Sequence, residues 1–313
     1  TRPCSRGCQA TSRAWRIELG EIVDVVEQEL THPWEGFLAV PTHGSDVGLL
    51  VLAGSSGRIE RERTSILAQQ GIAALSIRWF GGPGQCPGIC EIPLETFTAA
   101  VDFLAARGAR RIGILGVSKG AEAALLTAVH DPRVDVVIAL SPSSRVWCNV
   151  GPGHDGEQRP YRSSWTWRGH PLPFVPLDDS WTPAVDAGSG PPVAIRGWYE
   201  ASEQRFAHLL PMAEIPVEKA RADLLLVAGA DDAMWPSLPF AEQLAERRRS
   251  AGATVRLIAH HDAGHRPRLP GESPAPASPH FLYGGTPEAD MLLGKAAWPH
   301  ILDRLRGPAP RGF

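Results

Sequence analysis

Strand-length runs of uninterrupted apolar residues, separated by stretches with helical spacing, restrict most strongly what this chain can fold into. Residues 47–53 (VGLLVLA), 72–78 (IAALSIR), 112–116, 134–140, 223–229 and 254–259 each fit a strand covered on both faces. Residues 60–70, 94–107, 118–130, 240–251 and 288–306 carry helical spacing instead, and Gly71 and Gly108 stop two of these helices. Residues 22–30 and 34–41 read as an opening hairpin. Continuous apolar strands alternating with helices predict an α/β protein, with a mostly parallel sheet and helices on both faces.

One strand-to-helix junction carries chemistry. Gly116-Val117-Ser118-Lys119-Gly120 follows the apolar strand RRIGILG and opens the helix AEAALLTAV. This is the context a nucleophile elbow requires, so the expected architecture is the α/β-hydrolase fold with Ser118 as nucleophile. A serine that merely caps a helix is the bland alternative. A nucleophilic serine needs a base, and the base needs an orienting acid. In this fold the chain order is Ser, acid, His, each after a later strand.

Asp231 and Asp232 follow the strand LLLVAG. Asp232 has the better register, three residues after Gly229 and four before Pro236, which leaves Asp231 to point elsewhere or cap the turn. His265 ends the run HHDAGH after the last strand, in a loop freed by Gly264. His260 and His261 lie nearer the strand end and compete less well. A His261-x3-His265 metal pair would need one helix face, which a glycine-containing loop does not provide.

The amide of Lys119, at the helix N-terminus, is one expected oxyanion donor. The second should come from the loop Gly54-Ser55-Ser56-Gly57, whose two glycines let amides converge on an anion. Ser55 and Ser56 both fit that role, and a plain Gly-Ser turn is the alternative. Glu122, one helical turn beyond Ser118, reads as the ion-pair partner of Lys119.

Residues 142–200 break the alternation with nine prolines and five tryptophans. A loop this long is a functional lid or is disordered, and the tryptophans argue for order. The stretch is expected to cap the site with aromatic surface for an apolar substrate, the alternative being an excursion packed on the body. Trp79, Phe80, Trp165, Trp167 and Trp235 are the candidate substrate-binding side chains.

Composition narrows the partners. A formal net charge of -3 gives no nucleic-acid footprint. No apolar stretch approaches the roughly 18 residues of a membrane span, and no apolar segment of a secretory signal follows Arg2, Arg6 and Arg13. The five cysteines are odd in number. Their two Cys-x3-Cys pairs, Cys4/Cys8 and Cys86/Cys90, are spaced unlike common zinc sites. The reading is therefore a reduced, cytoplasmic protein with no metal and no cofactor, whose partner is a small molecule. The chain opens on Thr; residues 1–14 are expected to be disordered and 15–313 to form a single domain. Oligomeric state has no signature in the sequence.

The site motifs, with several others, resemble the C-terminal catalytic domain of the acyl-CoA thioester hydrolase and bile acid-CoA:amino acid N-acyltransferase family, an α/β-hydrolase domain similar to dienelactone hydrolase. The resemblance rests on GSSG at 54–57, RWFGGPG at 78–84, IPLETF at 92–97, GVSKGAEAALL at 116–126 and RGHPLPFVPL at 168–177. It continues through GADDAMWPS at 229–237, AGH at 263–265 and YGGTPEAD at 283–290, spanning about residues 30–306.

The resemblance implies a triad of Ser118, Asp232 and His265 acting on an acyl thioester or ester. Mammalian members carry a β-sandwich domain ahead of this one, and the residues preceding the resemblance here are too few for it. Amino-acid-transferring members resemble one another in using Cys as nucleophile, so Ser118 implies hydrolysis over transfer. Acyl transfer to an amine or alcohol, as in secondary metabolism, is the second reading. A catalytically silent binding protein is the third.

Overall fold

The computed structural model describes residues 22–183 and 190–307. The segment expected to be disordered, 1–14, lies outside the described residues, as does 184–189 within the proline-rich stretch. Eight strands form the main sheet: β1 (Val25–Leu30), β2 (Gly36–Pro41), β3 (Val47–Leu52), β4 (Ala73–Ile77), β6 (Arg111–Val117), β7 (Val136–Leu140), β10 (Asp223–Gly229) and β11 (Val255–His260). Their spatial order is β1-β2-β4-β3-β6-β7-β10-β11. The opening hairpin β1/β2 is antiparallel, and β2 also meets β4 antiparallel. Every other neighbouring pair is parallel, as uninterrupted apolar strands require.

The longer helices among the described residues are α1 (Arg61–Ala68), α2 (Glu95–Ala105), α3 (Lys119–His130), α4 (Arg196–Arg205), α5 (Ser237–Ser250) and α6 (Pro287–Arg306). Successive strand residues point to opposite faces, so one strand feeds two cores. Leu50 and Leu52 of β3 join Phe97 of α2, Leu125 of α3 and Leu244 of α5. Leu49 and Val51 of the same strand join Leu67 of α1 and Leu293 and Ile301 of α6. The sheet is thus sandwiched between α2, α3 and α5 on one face and α1 and α6 on the other. Gly71 and Gly108 adopt φ of +86° and +95° just past α1 and α2, the left-handed turn that stops a helix.

The excursion after β7 folds onto the body. A small second sheet joins β5 (Ile92–Pro93), β8 (Trp165–Trp167) and β9 (His170–Pro171). Trp147 and Trp165 are fully buried. Their anchor is the expected Lys119–Glu122 pair, 2.7 Å apart and buried at the start of α3. Glu122 Oε1 accepts from the Trp165 indole N–H at 2.6 Å and from the Trp147 amide at 3.1 Å. A buried carboxylate needs donors at both oxygens, and these four groups supply one another. Trp147 also packs with Tyr199, Trp235 and Phe240, tying the excursion to α4 and α5.

Candidate active site

All the elements that carry site residues end at the same edge of the parallel sheet. Ser118 links β6 to α3 with φ +56° and ψ -120°, a left-handed conformation that costs a side-chain-bearing residue energy. Its amide donates to the Leu140 carbonyl at 2.9 Å, which fixes the turn to β7. Two flanking glycines make the turn possible. A Cβ on Gly116 would meet the Gly120 carbonyl oxygen at 2.1 Å, and one on Gly120 would meet the Ala53 carbonyl oxygen at 2.3 Å. Because α3 begins at Lys119, its amide has no acceptor within the helix.

The loop after β3 leans on this turn. A Cβ on Gly54 would lie 3.1 Å from both the Ser118 Cβ and the Val117 carbonyl oxygen. Ser55 and Ser56 follow, exposed, and line one cleft of about 300 Å³ with Ser118 and His265. Gly57 has φ +64° and rests against the ring of Phe80, so Phe80 props this loop from below.

Asp232 and His265 are nearly fully buried, and the His265 Nδ1 lies 2.7 Å from Asp232 Oδ2. A carboxylate can only accept, so Nδ1 carries the hydrogen and the Nε2 lone pair is left for chemistry. The other carboxylate oxygen of Asp232 accepts from the amides of Met234 at 2.8 Å and Trp235 at 3.2 Å. Asp231 instead accepts from the Gly285 amide at 2.8 Å, which is the turn-capping alternative read from the sequence. His260 and His261 lie on β11 and in the exposed turn after it. Ser118 and His265 share the cleft without a direct hydrogen bond between them, a contact often long until substrate is bound.

A feature not read from the sequence holds Asp232 and His265 together. The segment Tyr283-Gly284-Gly285 runs between their loops, and the Tyr283 carbonyl accepts from the Ala233 amide at 3.3 Å and the His265 amide at 2.9 Å. Both glycines have positive φ, +68° and +64°. A Cβ on Gly284 would lie 1.7 Å from the Asp231 carbonyl oxygen, so the fit demands glycine. Asp290 of α6 accepts from the Gly264 amide at 2.7 Å and pins the histidine loop from behind. Ser141 donates to the His265 carbonyl at 2.9 Å. The motif YGGTPEAD was visible, but nothing local shows which loops its backbone would bridge.

The aromatic expectations resolve differently. Trp79, Phe80, Trp165 and Trp235 are buried in the packed interior, and Trp167 stacks on His130 with ring centroids 4.6 Å apart. None of the five lines the cleft beside Ser118. Trp235 comes nearest, its ring 5.6 Å from His265 and its N–H donating to the Ser141 carbonyl, so it backs the imidazole. The apolar lining comes instead from Met234, Phe281 and Tyr283, and the charged lining from Arg58, Glu60 and Arg266. No described residue of 142–200 lines the cleft either. Large aromatic side chains bury more apolar area in a core than at a cleft wall, and that preference places them.

Among the described residues, no group of three or more His, Cys, Asp or Glu side chains could hold a metal ion. Cys86, Cys90 and Cys148 are buried free thiols, whereas Cys4 and Cys8 lie outside the described residues. Burial pushes the Cys90 thiol up to about 11 and the Cys148 thiol up to about 12, so neither is a ready nucleophile. No helix among the described residues is long and apolar enough to cross a membrane.

Sheet order, elbow and loop placement together define an α/β-hydrolase fold. Solved structures with this fold include a protein assigned as a dienelactone hydrolase from Klebsiella pneumoniae, with a TM-score of 0.52 and 15% identity over 91% of this chain and 100% of that one. A Pyrococcus horikoshii acylaminoacyl peptidase gives a TM-score of 0.54 and 13% identity over 93% of this chain and 43% of the peptidase.

The chain belongs to the BAAT / acyl-CoA thioester hydrolase C-terminal family, whose family model matches residues 92–306. Acyl-coenzyme A thioesterase 6 of Homo sapiens is 27% identical over 272 residues, covering 83% of this chain and 60% of the relative. Acyl-coenzyme A amino acid N-acyltransferase 2 of Rattus norvegicus gives the same identity and coverage. The chain therefore spans about 60% of the length of these curated relatives.

Proposed function

We propose that this chain is a serine hydrolase that cleaves an acyl thioester, or a related ester, through an acyl-enzyme on Ser118. One observation carries the reading: the buried 2.7 Å Asp232–His265 contact opens onto the cleft that Ser118 lines. The family's thioester hydrolases and acyltransferases support the substrate class.

In this mechanism His265 Nε2 takes the proton of Ser118 Oγ as Oγ attacks the acyl carbon. Asp232 holds the Nδ1–H and stabilises the imidazolium. The oxyanion is met by the amide of Lys119 and that of Ser55 or Ser56, each worth about 3–4 kcal/mol when lost. The tetrahedral intermediate collapses, the C–S or C–O bond breaks, and the leaving group takes the proton from His265. Water then attacks the acyl-enzyme with His265 again as base, and the free acid leaves with Ser118 restored. A reducing, cytoplasmic setting belongs to the same reading, supported by the three buried free thiols.

A fluorophosphonate probe should label Ser118 in the folded protein, and Ser118→Ala should abolish both labelling and acyl-CoA turnover while the circular dichroism spectrum is unchanged. Full activity in Ser118→Ala would reject the nucleophile. Turnover assayed with an amine acceptor present separates hydrolysis from transfer, because only transfer yields an acylated amine in place of free acid.

A further inference from the structure

We propose that Arg266 selects an anionic substrate, one carrying a phosphate or carboxylate group away from the bond that is cleaved. This rests on the hydrolase reading above and names the substrate class for that site.

Arg266 directly follows His265 and lines two cavities. One is the cleft beside Ser118, and the other is an adjoining groove of about 450 Å³ that shares Ser278, Phe281 and Tyr283 with it. A substrate bound at Ser118 and continuing into the groove must pass this guanidinium.

The charge of Arg266 has no carboxylate in contact with it; Asp290 attracts it only through space. Among the described residues, no carboxylate lies within ion-pair distance of it. Its guanidinium sits 3.8 Å from the Tyr283 ring centroid and donates one hydrogen bond, to the Pro276 carbonyl at 2.8 Å. The Nε–H is buried without an acceptor. The other two arginines of these cavities differ. Arg58 pairs with Glu60 at 2.7 Å, and Arg268 reaches Glu62 at 3.4 Å and Glu272 at 3.6 Å. Asp290, which also lines the groove, is turned to the Gly264 amide.

A half-buried guanidinium with no carboxylate in contact is held at a cost, and burial lowers its hold on the proton despite the opposing field of Asp290. An oxyanion from the ligand removes that cost and gains charge-assisted hydrogen bonds from the planar fork. Stacking on Tyr283 fixes the plane in advance, so little side-chain freedom is lost on binding.

Two anion sources share this chemistry, and three thioesters of one acyl chain length tell them apart. Acyl-coenzyme A carries phosphates on the leaving group, acyl-N-acetylcysteamine carries no charge, and the ω-carboxyacyl form of the latter carries its carboxylate on the acyl chain. Arg266→Gln should lower the kcat/KM ratio of anionic to neutral thioester about tenfold or more, through KM, and Arg266→Lys should restore part of it. The anionic thioester whose ratio falls identifies the source. Unchanged ratios for both would overturn the proposal, as would a fall in kcat common to all three substrates.

Binding gives a readout that needs no turnover. In the Ser118→Ala background, calorimetry with coenzyme A and with a saturated dicarboxylate should show binding of one of them, weakened by Arg266→Gln. No binding of either, or binding unaffected by Arg266→Gln, would overturn the proposal. Absence of turnover on every thioester by the unaltered protein would instead reject the hydrolase reading, leaving the calorimetry to decide Arg266.

Discussion

Ser118 and Asp232 show how much of the site is set by backbone rather than by side-chain identity. Ser118 is held at positive φ by the hydrogen bond its amide donates to the Leu140 carbonyl and by two glycines that admit neighbouring carbonyls. Asp232 has both oxygens engaged, one by the imidazole and one by two amides. Asn at 232 would present an amide NH₂ or a carbonyl to Nδ1, and the histidine would lose its fixed tautomer. Asp232→Asn should therefore lower kcat by a factor on the order of 10⁴ with little change in thermal stability. Steady-state rates beside a melting curve check this, and a loss under tenfold would mean that Asp232 does not orient His265. At this scale the sequence was most informative about Ser118, Asp232 and His265, because each stands at a fixed offset from a strand end. It was least informative about Arg266 and Tyr283, whose significance depends on which distant backbone they meet.

Elements were legible where their burial is two-sided. The expected strand at 72–78 becomes β4 (Ala73–Ile77), and the expected helix at 240–251 becomes α5 (Ser237–Ser250), which starts three residues earlier, directly after Pro236. Aromatic placement was not legible, because a tryptophan's sequence position does not say whether its ring faces a core or a cleft. The contact between α6 and the histidine loop was equally hidden, and it carries a pH signature. Burial pushes the Asp290 carboxyl from its ordinary 3.8 up to about 6. A raised carboxylate pKa means that the folded state prefers the protonated form, so charging Asp290 costs stability. That cost is absent below about pH 4 and develops as pH rises through about 6. Asparagine keeps the oxygen that accepts from Gly264 and carries no charge. Asp290→Asn should gain stability relative to the parent between pH 5 and pH 8, by about 1–2 kcal/mol after allowing for solvent screening. Urea unfolding at both pH values tests it, and a difference independent of pH would remove the carboxylate as its source.

For the molecule as a whole, the described residues of the proline- and tryptophan-rich stretch pack as part of the scaffold. They fill an interior cluster and converge on the Lys119–Glu122 pair at the start of α3. Trp165→Phe removes a donor from a buried carboxylate and shrinks a fully buried ring. It should cost about 2–4 kcal/mol in stability and leave KM near the parent value. A raised KM with unchanged stability would return Trp165 to the substrate. The sequence reading found the sheet, its flanking helices and the irregular stretch, but not what that stretch packs against, since its contacts are long-range.

The Tyr283-Gly284-Gly285 segment has a consequence for redesign. Its backbone sets the spacing of Asp232 and His265, while the side chains of Phe281 and Tyr283 line the cleft. The placing of Asp232 and His265 and the lining of the cleft are therefore written on the same few residues. A graft meant to change what the cleft accepts should stop before Tyr283 and keep a carbonyl in the place of Pro276 to hold Arg266; carrying the exchange through 283–285 would move Asp232 and His265 with it.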